Sequence, residues 1–125
     1  MKCPAPLASL FFLLFIAPAA ADPSYVDLTD SPTITVDWSK GNSQAVTLHG
    51  NRAFTFSNGQ KGGHYLLIIK QDTTGSRAVT WPPSVHWPGE NSPPPPLTTT
   101  ANKKDYISFF FDGTTYDLIA ISQNF

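Results

Sequence analysis

The chain is poor in charge and nearly devoid of cysteine. Only 14% of its 125 residues are charged, 8 basic against 9 acidic, giving a formal charge of -1. So neutral a chain has no general field for gripping a phosphate backbone, which argues against a nucleic-acid partner. The one cysteine, Cys3, excludes a disulfide scaffold and a thiolate metal cluster. No GxxxxGK[ST] or GxGxxG motif is present, so nothing announces a phosphate-cradling loop or a nucleotide cofactor. Long apolar runs are scarce as well. Leu7 to Ala17 is the exception, and it falls short of the ~20 residues that span hydrocarbon.

Aromatic residues and prolines are what the chain does have: 13% aromatic and 12 Pro. Its length supports one domain. Lys2, the apolar run, the break at Pro18 and Ala19-Ala20-Ala21 before Asp22 have the three-part layout of a secretory signal peptide. The expected division is therefore a signal peptide over 1–21, an N-terminal extension over 22–32 and a β-sandwich domain over 33–125. The expected destination is secreted or periplasmic, with no membrane span after cleavage and no thiol left.

From Thr33 onward the period is two. Thr33 to Trp38, Ala45 to Leu48 and Ala53 to Ser57 alternate polar with apolar, as strands with one buried face do. His64 to Lys70 (HYLLIIK) is apolar almost throughout, which suits a central strand covered on both sides. Arg77 to Trp81, Asp105 to Phe111 and Tyr116 to Ser122 complete the set, and Leu97 to Thr100 adds a short candidate. Turn residues fall between these runs. Asp112-Gly113 gives the clearest hairpin. The predicted fold is all-β, an antiparallel β-sandwich or jelly roll of about seven to eight short strands. Prolines 82, 83, 88 and 93–96 crowd one stretch, predicting an ordered loop and then an extended polyproline run.

From Val36 to the C-terminus the chain resembles a small β-domain that recurs in tail-fibre and other structural proteins of tailed bacteriophages. The resemblance is carried by Gln44 to Leu48 (QAVTL), Gly50 to Asn58 (GNRAFTFSN) and Tyr65 to Asp72 (YLLIIKQD). It continues through Thr80-Trp81-Pro82, Val85 to Gly89 (VHWPG) and Leu97 to Lys103 (LTTTANK), and closes with Phe109 to Thr114 (FFFDGT) and Asn124-Phe125. It implies a virion-type structural or adhesion module, located in the virion if phage-encoded, and homotrimerisation as in phage fibres. Behind an export leader it implies instead a phage-derived domain released as a free protein. No catalytic residue comes with the resemblance.

Chemistry-bearing constellations are few. His49, His64 and His86 are the only imidazoles and show no HxH or HExxH spacing, so no metal site is expected. There is no GxSxG elbow, and Glu90 is the only glutamate, which weakens a paired-carboxylate glycosidase. The expectation is a non-enzyme without cofactor, with a small secreted hydrolase as the remote alternative. The proline-stiffened loop alone has binding character. Trp81, His86, Trp87, Glu90 and Asn91 together could stack on and hydrogen-bond a cell-surface glycan, as a carbohydrate-binding module does. The competing reading has Trp81 and Trp87 plugging an open end of the sandwich, and a structural protein as partner. Trp38 and Tyr116 are expected as core or rim aromatics. Three successive Phe, 109 to 111, must send at least one ring away from a single core face, to be hidden by a second sheet, the loop or a partner chain.

Overall fold

The computed structural model describes residues 25–89 and 91–125. The expected leader at 1–21 and the candidate Glu90 lie outside the described residues. Period-two segments form strands close to where the sequence puts them: β2 (Thr33–Asp37), β3 (Ser43–Leu48), β4 (Arg52–Ser57), β5 (His64–Gln71), β6 (Val79–Thr80), β8 (Lys104–Phe111) and β9 (Tyr116–Ser122). Two further strands lack a strong pattern, β1 (Tyr25–Asp27) and β7 (Val85–His86). The stretch expected as an N-terminal extension thus contributes β1 to the fold. Leu97 to Thr100 is not a strand. Its backbone is spent on side chains and loops instead, with Thr98 N–H donating to Asp105 (2.7 Å) and Thr99 C=O accepting from Ser76 N–H (2.8 Å).

The fold is an all-β pair of sheets, ordered β1-β3-β5-β8-β9-β7 and β2-β4-β6. Strand direction differs from the expected antiparallel plan. β1, β3 and β5 are mutually parallel, as are β2, β4 and β6, because the chain alternates between the two sheets with every strand from β1 to β6. Each circuit lays its strand beside the one before, so Tyr25, Ser43 and Leu66 lie side by side. β7 also joins β9 in parallel. Antiparallel pairing begins only at β5–β8 and continues in the β8–β9 hairpin. The short connections at 38–42 and 49–51 carry the chain across to the other sheet rather than back along the same one. A 3-10 turn, Trp38–Lys40, makes the first crossing; the Asp37 carboxylate caps it by accepting from Ser39 N–H (3.0 Å) and Ser39 Oγ (2.6 Å).

Inward-facing residues of both sheets build one core. Ile34, Val36 and Phe54 from the small sheet meet Val46, Leu48, Leu67, Ile69, Ile107 and Phe109 from the large one. Buried and partly buried aromatics join the layers: Trp38 lies 4.8 Å from Tyr65, and Phe56 meets Phe109 and Tyr116 edge-on at 5.5 and 5.1 Å. The Phe run resolves within the chain. Phe109 points into the core at 0% exposure, Phe111 stacks on Tyr116 at 4.3 Å, and Phe110 turns outward against His64.

Three buried polar side chains clip loops to this core. Gln44 donates to the carbonyls of Asp37 (2.8 Å) and Gly41 (2.9 Å). Gln71 donates to Arg77 and Thr98 carbonyls, both at 3.0 Å, and accepts from Arg77 N–H at 2.9 Å. Asp105, 2% exposed, accepts from Thr98 N–H, Gln123 Nε2 and Asn124 N–H at 2.7 to 3.1 Å. Satisfying each buried polar atom is what makes its burial affordable. The predicted Asp112-Gly113 hairpin is present: Asp112 accepts from Thr114 and Thr115 N–H (2.8 and 2.7 Å), and Gly113 takes φ +103°.

Candidate functional site

Two concave places among the described residues bear on function, and the proline-rich loop holds the smaller of them. There, His86, Trp87 and Asn91 come together with Val85, Gly89 and Ser92 around a depression of about 330 Å³. Trp81 is not part of it. Its ring is half-buried and packed on the core, stacked on Phe54 at 5.7 Å and edge-on to Trp87 at 5.2 Å and Phe109 at 6.1 Å. Trp87 in turn lies 6.4 Å from Phe109. Both indoles thus spend ring surface on covering the sandwich. His86 and Asn91 are exposed, and His86 Nδ1 lies 3.7 Å from Asp117.

The larger concavity, about 720 Å³, lies on the outer face of β1, β3, β5 and β8. Strand register arranges this face in rows. One row runs Tyr25, Ser43, Leu66, Ser108; the next runs Asp27, Ala45, Ile68, Tyr106; a third runs Thr47, Lys70, Lys104. Alternation sends these side chains outward because their neighbours Gln44, Val46, Leu67, Ile69 and Asp105 point into the core. Leu66, Ile68 and Ala45 therefore form an apolar floor, with no second layer over it among the described residues. Ile68 is only 9% exposed even so, since its row neighbours crowd it. The walls are polar. Tyr25 stands 54% exposed at one edge, and Lys104 lies over the Tyr106 ring at 5.6 Å at the other.

Charge around the groove is mostly committed. Asp30 is held by a two-pronged contact with Arg52 (2.8 and 2.6 Å), which keeps its carboxyl below the usual range. Asp72 accepts from Arg77 (3.2 and 2.8 Å) and from Thr74 and Gly75 N–H, and the guanidinium bond leads in holding its carboxyl well below the usual range. His49, 62% exposed at its side chain, places Nδ1 3.6 Å from Asp72. Lys70 and Lys104 have no such partner: among the described residues neither ammonium lies within 4 Å of a carboxylate.

Sequence reasoning concentrated on the loop and passed over Tyr25, Lys70, Lys104 and Tyr106. A usable sign was present in HYLLIIK, whose unbroken apolar character predicted cover on both faces. The core covers one face. The other is the groove floor.

The comparisons with known proteins give one finding. A family model described as "putative phage tail fibre C-terminal domain" matches residues 29–116, spanning β2 to β8 and reaching the first residue of β9. No curated protein and no solved structure matches the chain. The family match takes in the core of both sheets, the proline-rich loop and most of the groove, so the chain belongs to the phage tail fibre C-terminal domain family and is a structural, tail-fibre-like module.

Proposed function

We propose that this chain is a non-enzymatic attachment module that contacts a cell surface through the groove on its large sheet. The observation that carries the reading is the apolar floor of Leu66, Ile68 and Ala45, walled by Tyr25, Tyr106 and two lysines, a floor uncovered and lysines unpaired among the described residues. A pocket of this size, apolar below and polar at its rim, is the ordinary form of a ligand site. The family supplies the setting, a fibre-like structural component of a phage particle. With an export leader at 1–21, the same module acts outside the cytoplasm as a secreted or periplasmic protein.

A second reading puts the contact at the proline-rich loop, and the depression beside exposed His86 and Asn91 favours it. The two separate by mutation. Pull-down of purified protein on intact bacterial cells is expected to fall sharply for Tyr106→Ala and to survive His86→Ala with Asn91→Ala. The reverse pattern transfers the function to the loop. Hydrolase screening of the same protein is expected to show no turnover.

A further inference from the structure

We infer that the groove takes an acidic saccharide and that Lys70 and Lys104 hold its carboxylate or phosphate group. The inference rests on the attachment reading above and names the ligand class of that same site.

The cationic pair is the starting point. Lys70 and Lys104 are register partners across the antiparallel β5–β8 ladder, and both point out of the same face. Like charges directly opposite on a sheet repel, and side chains at such positions stand ~5 Å apart at Cβ. A carboxylate between them would be the usual remedy. The nearby acids serve elsewhere, Asp30 on Arg52 and Asp72 on Arg77. Asp27 belongs to β1, and β3 separates that strand from β5. Neither ammonium donates a hydrogen bond among the described residues; Lys104 rests over the Tyr106 ring. An anion seated between the two ammoniums removes their repulsion and gains charge-assisted hydrogen bonds from both.

The rest of the ligand is read from the adjoining rows. Beside the lysines lie Ile68 and Ala45 as an apolar floor and Tyr106 as a ring wall. Ser43, Thr47 and Asp27, which also line the groove, add hydroxyls and a carboxylate. A sugar ring fits that pattern, with one C–H face on the floor and its hydroxyls toward the rim. A polyphosphate chain fits poorly. It would have to pass Asp27 and Asp30 on the β1 side, and the whole chain carries a formal charge of -1. The ligand therefore presents one acidic group at the lysine end and neutral hydroxyls beyond it.

The test is an array of acidic saccharides, uronate-bearing and phosphorylated, beside their neutral counterparts, followed by calorimetric titration of the saccharides bound. Wild-type protein is expected to retain acidic members only. Lys70→Gln with Lys104→Gln should weaken them by about tenfold or more, the range for losing a charge-assisted contact. The double Arg variant should bind within a few-fold of wild type. Melting temperature should not fall in the Gln variant, since a repulsive pair has been removed. Inorganic phosphate should compete only at far higher concentration than the saccharides. Equal competition by phosphate would make this a bare anion site and overturn the saccharide assignment. Neutral glycans bound as tightly as acidic ones, with Tyr106→Ala abolishing them, would overturn the acidic class and leave the attachment reading standing. Wild-type protein binding neither the array nor intact cells would remove both.

Discussion

At the scale of single residues, Asp105 does more than its type announces. Burial alone pushes its carboxyl upward, but the donors from Thr98, Gln123 and Asn124 outweigh that and hold it below the usual range. The consequence for acid stability follows from the direction. A carboxyl lowered in the folded state contributes stability that is complete above the unfolded value near ~4 and is lost as pH falls toward the folded one. Asp105→Asn keeps one acceptor oxygen but turns an amide N–H₂ toward existing donors. It is expected to cost about 2–3 kcal/mol at pH 7. Chemical denaturation at pH 7 and pH 3 should show a smaller difference for the variant than for wild type. Asp30, Asp37, Asp72 and Asp112 are lowered too, so the variant keeps part of the slope. None of this was legible beforehand, because the donors come from a loop seven residues before Asp105 and a segment 18 and 19 residues after it. Their convergence depends on where β8 places the carboxyl.

At the scale of elements, alternation located the main strands closely, and the Asp112-Gly113 hairpin formed as its residues demand. Direction was the part that alternation does not encode. A period of two tells which face a residue occupies and says nothing about which way the neighbouring strand runs. Turn residues such as Gly41-Asn42 mark a connection without saying where it leads; here it crosses between sheets, and Gln44 ties the carbonyls of Asp37 and Gly41 along it. The site followed the same logic. Tryptophans beside prolines drew the eye, whereas Lys70 and Lys104 lie on different strands and become a pair only once β5 and β8 are in register. Turn glycines offer an element-scale test. Gly75 has φ +74°, and a Cβ there would meet Thr99 O at 2.7 Å and Ala101 N at 2.9 Å. Gly113, at φ +103°, would meet only the flexible Lys61 side chain at 3.4 Å. Gly113→Ala is expected to cost about 1–2 kcal/mol from backbone strain alone. Gly75→Ala should cost at least about 3 kcal/mol, because backbone atoms cannot yield as a side chain does. Equal melting temperatures for the two variants would contradict that ranking.

At the scale of the whole molecule, the two sheets are joined by an aromatic layer running from Trp38 through Phe56 to Trp81 and Phe109. Most pairings link strands remote in sequence, so the winding has no early local reward and unfolding should be a single cooperative event. Residues 123–125 close the winding. Lys104 and Phe125 exchange backbone hydrogen bonds at 3.1 and 3.2 Å, while Gln123 and Asn124 satisfy Asp105 and Gln123 also reaches Pro96 C=O at 2.7 Å. Removing 123–125 should therefore lower the melting temperature by several degrees, more than the loss of three exposed residues would. Such a product would keep every residue of the hydrophobic core and still be left with a starved buried carboxylate. Residues 123–125 thus work as a latch over a buried anion: a chain cut before them folds the same apolar core around a carboxylate that has lost two of its three donors.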